Sequence, residues 1–134
     1  MAKLFELAHQ VYLEAADAFP EIPDIRLVVT TDAGMKGRSY AYFETPDCVL
    51  GVSPRLLTAE PTRQLGVLRH ELGHAIHFAY GREALSELPI VLPKSDERLA
   101  DVLAELVWGT PIYYDEELVQ NVDGGVAPRP SELG

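Results

Sequence analysis

The stretch His70-Glu71-Leu72-Gly73-His74 constrains this chain more than any other feature. On a helix, side chains four residues apart lie one above the other on a single face. Both imidazoles of an HExxH sequence can then reach one metal ion, and the glutamate beside them can take a proton from water on that ion. The spacing carries this meaning only if the segment is helical, and it reads so. Pro61 stands where a helix beginning at Thr58 or Glu60 has its first turn, and Gly81 stands where it stops, just after Tyr80. Between them, a rotation of about 100° per residue separates two stripes. Leu65, Leu68, Leu72, Ala75, Ile76 and Ala79 form a core stripe, while His70, His74 and His77 lie opposite, with Arg63 and Val67. A purely structural helix does not need three histidines on one side. His70 and His74 therefore read as metal ligands and Glu71 as a general base.

A second segment supplies acids at matching spacing. Ser95 is a good N-cap, and Gly109 and Pro111 end a helix predicted over 96–108. Leu99, Val102, Leu103 and Leu106 form its apolar stripe. Glu97, Asp101, Ala104 and Trp108 share the other face, with Glu97 and Asp101 one turn apart. The plain alternative is a solvated acidic face, with Asp96 and Glu97 favouring the helix N-terminus. Against it, Ala100 and Ala104 are small enough to let this helix approach the histidine helix closely. Three carboxylates beside two buried histidines would also be costly without a cation to compensate them.

The remaining elements describe one small α+β domain. Apolar positions Leu4, Leu7, Ala8, Val11, Ala15 and Phe19 fall at helical spacing, ended by Pro20 and Pro23. Residues 25–31, 39–44 and 48–53 read as strands, with a glycine-bearing turn at 32–37. Residues 54–57 read as a short turn or the start of a helix. Residues 1–112 thus make one domain, and 113–134 a C-terminal extension that is partly irregular, with another helical turn at 112–119 and glycines and prolines beyond. The chain's 134 residues suit one core and not two.

Composition narrows the setting. Twenty-one acids against 11 bases give a formal charge of −10. Such a surface repels a phosphate backbone, so nucleic acid is not an expected partner, and basic or neutral peptide segments are favoured. No apolar run approaches the roughly 20 residues that span a bilayer. Glu6, Glu14 and Asp17 interrupt any secretory leader, and the single cysteine, Cys48, fits a reducing compartment. A cytoplasmic location is expected, with no membrane partner. Cys48 itself reads as a small buried strand residue.

The two segments together resemble the gluzincin metallopeptidases, in which HExxH is followed on the next long helix by Glu-x-x-x-Asp. The matching residues are His70-Glu71-Leu72-Gly73-His74 and Glu97-x-x-x-Asp101. The resemblance implies one zinc ion per chain, held by His70, His74 and Glu97 with water in the fourth position. It implies Glu71 as base and then proton shuttle to the leaving amine, and Asp101 as the acceptor of a ligand histidine's free ring N–H. It also implies a minimal zincin-like architecture: an N-terminal helix, a small three-stranded sheet, the HExxH helix and the glutamate helix. The last strand, 48–53, would lie at the cleft edge and pair with extended substrate. The run His70-Glu-Leu-Gly-His-Ala-Ile-His77, with Glu97 to Leu106, is similar also to the ImmA/IrrE regulatory peptidases, which cleave repressor-type transcription factors. The longer metzincin pattern places a histidine at position 80, where this chain has Tyr80.

The expected function is hydrolysis of peptide bonds in a peptide or protein substrate. The alternative is a non-catalytic or latent zinc-binding regulatory protein on the same fold, with the acidic tail residues 115–117 within reach of the metal. Candidates for stabilising an oxyanion are His77, Tyr80, Tyr113, Tyr114 and Arg98.

Overall fold

The computed structural model describes residues 2–30 and 40–109. In chain order these form helix α1 (Ala2–Ala18), strands β1 (Arg26–Val29), β2 (Ala41–Glu44) and β3 (Val49–Val52), a single helical turn α2 (Pro54–Leu57), and helices α3 (Pro61–Leu85) and α4 (Asp96–Trp108). The architecture is mixed α+β, with four helices and one small sheet among the described residues. The expected turn at 32–37, the helical turn at 112–119 and the extension 113–134 lie outside them. Among the described residues, no helix is long and apolar enough to cross a membrane.

The sheet runs in the order β1-β3-β2, with β1 parallel and β2 antiparallel to β3. This corrects the expectation that the last strand lies at the cleft edge: β3 is the central strand. All four of its residues are buried. A short run as apolar as Val-Leu-Gly-Val suits a strand with neighbours on both sides, where its main-chain groups are satisfied along both edges. The strand at the edge near α3 is β2, whose burial falls from Ala41 to exposed Glu44. Gly51 of β3 is opposite Tyr42, and an added Cβ would stand 2.3 Å from that tyrosine ring. The aromatic ring thus covers the bare glycine, a device that closes a gap in a pleated face. Cys48 is buried as expected but sits in the turn before β3, at φ 57°, rather than in the strand.

Helix α3 is the axis of the domain. Leu68, Leu72, Ala75 and Ile76 join Val11, Ala15, Leu50, Val52 and Leu56 in one hydrophobic cluster. The opposite side is also buried, at Val67, His70 and Glu71, and α4 makes its most extensive contact with this helix. Gly81, at φ 79° and ψ 157°, interrupts α3 after Tyr80, and a last turn then resumes to Leu85. Only glycine enters that region of backbone space without penalty.

Helix α4 begins at the expected cap: the Ser95 hydroxyl accepts the Arg98 main-chain N–H at 3.4 Å. It ends at Gly109 in a left-handed conformation. Its buried side differs from the expected stripe. Leu99, Ala100, Leu103 and Ala104 are buried, whereas Leu106 is 41% exposed. The helix turns its alanines, not only its leucines, toward α3. Trp108 closes the far end, donating its indole N–H to Glu14 on α1 at 2.8 Å beneath the Arg69 guanidinium.

Candidate metal centre

The centre is built where α3 and α4 touch most closely. Gly73 decides that distance. A Cβ placed on it would stand 2.2 Å from the carbonyl oxygen of Ala100, so only a bare Cα fits. Glycine inside a helix costs about 1 kcal/mol relative to alanine. Here it admits the backbone of α4 and brings Glu97 and Asp101 over the histidines. Sequence reasoning took Gly73 as an unspecified position of the motif. Its cue was available, since a glycine inside an otherwise helical pattern asks for a packing reason.

His70 is fully buried and lies between two carboxylates. Its Nδ1 is 2.7 Å from Asp101 Oδ1, and its Nε2 is 2.9 Å from Glu97 Oε1. The other oxygen of Glu97, Oε2, is 3.1 Å from His74 Nε2. The two rings stand edge to face, 4.8 Å between centroids. Donor atoms of His70, His74 and Glu97 all lie within 4.8 Å of one another, a grouping that can hold a metal ion. The structure therefore brings together His70, His74 and Glu97, with Asp101 against His70 as expected.

The electrostatics follow from that arrangement. A neutral imidazole has one N–H and one lone pair. With carboxylates at both nitrogens, one of them would face a lone pair. The conflict ends if His70 carries a second proton or a cation lies between Nε2 and Glu97; protonation of Glu97 would also end it, but its carboxyl is held in the charged form. Burial opposes charge on His70, but the hydrogen bonds to Asp101 and Glu97 outweigh it and hold the pKa well above 6.5. Burial likewise opposes charge on Glu97, and its contacts with His70 and His74 hold the carboxyl far below its ordinary range. Two imidazole nitrogens and a carboxylate form a donor set suited to zinc, so the residues present fit that ion.

Glu71 is only 3% exposed and contributes to the field around His70. It adjoins the centre as the motif requires. An open cleft of about 470 Å³ adjoins the centre, bordered by Phe43, Thr45, His74, His77, Phe78 and Glu97. Its β2 wall brings Phe43 into edge contact with Phe78 at 6.5 Å. Neither phenylalanine is marked by the motif, and only the tertiary structure places them there.

His77 lines this cleft, with Nδ1 4.0 Å from Asp96 Oδ1. Burial pushes its pKa below 6.5, and Arg82 and His74 add to that against the pull of Asp96. Tyr80 is not brought to the centre. Its hydroxyl accepts the main-chain N–H of Glu21 at 3.1 Å, and its ring meets Phe19 edge-on at 5.2 Å. It holds the end of α1 instead. Arg98 enters through its main-chain N–H at the cap, and Tyr113 and Tyr114 lie outside the described residues.

Comparison with protein-family models, with curated proteins and with solved structures finds no match for this chain. The functional reading rests on the chemistry of these residues.

Proposed function

We propose that this chain is a zinc-dependent metallopeptidase of gluzincin-like type, with one zinc ion held by His70, His74 and Glu97. The observation that carries the reading is His70, buried between Asp101 and Glu97 with a carboxylate oxygen within 3 Å of each ring nitrogen. When bound, zinc would supply Lewis acidity to a substrate carbonyl and lower the pKa of water toward neutrality.

The chain's own residues supply the rest. Asp101, accepting from Nδ1, fixes the tautomer of His70 and leaves the Nε2 lone pair for the ion. Glu71, adjacent to His70 in sequence and in the same field, accepts the proton as water attacks and passes it to the leaving amine. β2 has a strand neighbour on one side only among the described residues, and Phe43 in it and Thr45 just after it border the cleft. Its other edge offers main-chain hydrogen bonds to an extended peptide, the role first expected of residues 48–53. The acidic surface favours basic or neutral segments and a partner other than nucleic acid.

The near-complete burial of Glu71 favours a second reading, a latent or non-catalytic zinc-binding protein. Two measurements separate these readings. Elemental analysis should find one zinc per chain, retained much more weakly by Glu97→Ala. In a peptide-library assay, Glu71→Gln should keep its zinc and lose hydrolysis by on the order of 10²–10⁴-fold. A zinc-loaded wild type that cleaves nothing supports the second reading. Cleavage undiminished in Glu71→Gln removes the proposed mechanism.

A further inference from the structure

The approach to α4 is held by one side chain that the motif does not include. Arg82 follows Gly81 in the last turn of α3, and the break at Gly81 redirects the chain there. Its guanidinium donates to three acceptors in the segment leading into α4. Nη1 reaches the Pro93 carbonyl at 2.7 Å, and Nη2 reaches the Lys94 carbonyl at 2.9 Å and Asp96 Oδ1 at 2.8 Å. The next residue in the chain is Glu97, whose two oxygens span His70 and His74.

Resting on the zinc reading above, we propose that Arg82 is a positioning residue for the metal centre: its fork sets the first turn of α4, and thereby where the Glu97 carboxylate stands. Glu97 is the one ligand that does not come from α3, so its place depends on how the two helices are joined. Gly73 sets their separation at Ala100, and Ser95 caps α4. Neither fixes the approach of residues 93–96, whereas Arg82 grips three points along it. An isolated exposed ion pair between Arg82 and Asp96 would contribute little stability. The two carbonyl acceptors make the difference, because a planar fork with several fixed N–H directions specifies position and a lysine ammonium does not. Arg82→Lys keeps the charge and removes the fork, and so isolates the geometric role.

The test compares wild type, Arg82→Lys and Arg82→Ala as full chains. Zinc affinity is measured by competition with a chromophoric chelator. Cobalt(II) loaded in place of zinc reports ligand number through its visible absorption, and melting is followed on the metal-free chains. The expected result is a 10–100-fold loss of zinc affinity in both variants, the range for residues that orient metal ligands. A weaker cobalt band, as Glu97 gives way to water, should accompany a melting temperature within about 5 °C of wild type. Arg82→Lys matching wild type in affinity and cobalt spectrum would overturn the inference. So would zinc loss that merely follows unfolding of the metal-free chain. If wild type itself takes up neither metal, the zinc reading falls, and this inference with it. A wild type that binds zinc normally beside unaffected variants sinks this inference alone.

Discussion

His70 shows how one residue can set opposite demands on the loaded and the empty protein. With its pKa held well above 6.5 by Asp101 and Glu97, its charged form stabilises the metal-free fold. That contribution is complete below the unfolded value of 6.5 and is lost as pH rises through the folded pKa. Glu97 has the reverse sign: its contribution is complete above the ordinary value of 4.5 and is lost only in strong acid. The pair therefore stabilises the metal-free chain most between these two values, and melting temperature should decline from pH 6 to pH 9. Zinc competes with the same proton, so its affinity should rise over that interval. Calorimetric melts with and without zinc at both pH values check this. A metal-free melting temperature that climbs steadily to pH 9 would contradict it.

At the scale of elements, the contact of α3 with α4 is the sensitive one. Gly73→Ala inserts a methyl where 2.2 Å separates it from a main-chain oxygen, and a backbone cannot swing aside as a side chain would. The helices must part. The expected cost is about 1–3 kcal/mol, as for other overpacked cores, despite the better helix propensity of alanine. Denaturant melts measure this. Zinc retention should fall with it, because Glu97 and Asp101 move away from His70 together. Unchanged stability in Gly73→Ala would mean that the approach is looser than described. The contrast with Gly51 is instructive. Its near neighbour is the ring of Tyr42, which can rotate away, so tightness there has no comparable consequence.

For the whole molecule, a metal held by His70, His74 and Glu97 would join α3 to α4, and so should act on global stability. A ligand that binds only the folded state adds about 4 kcal/mol when present at 1,000 times its Kd. Zinc at that excess should raise the melting temperature markedly in wild type and far less in Glu97→Ala. A scan at several zinc concentrations tests this, and equal shifts in the two proteins would place the ion elsewhere.

Much of this was legible in the residues themselves. Helical periodicity, the Ser95 cap, the glycines at 81 and 109 and the spacing of His70, His74, Glu97 and Asp101 are local properties, fixed within a few turns of chain. They therefore locate the helices and mark the residues of the candidate centre before any folding is known. What followed from the tertiary structure is of another kind. That β3 is central and β2 lies at the edge depends on strand pairing between distant segments, which alternation along one strand does not encode. That Tyr80 holds α1 rather than the metal centre, that Leu106 stays exposed while Ala100 is buried, and that Arg82 reaches across to 93–96 all depend on the angle and distance between packed elements. Periodicity defines the face a residue belongs to. Only the assembled molecule decides what that face meets, because the contact energies that choose among partners exist only once the partners are side by side.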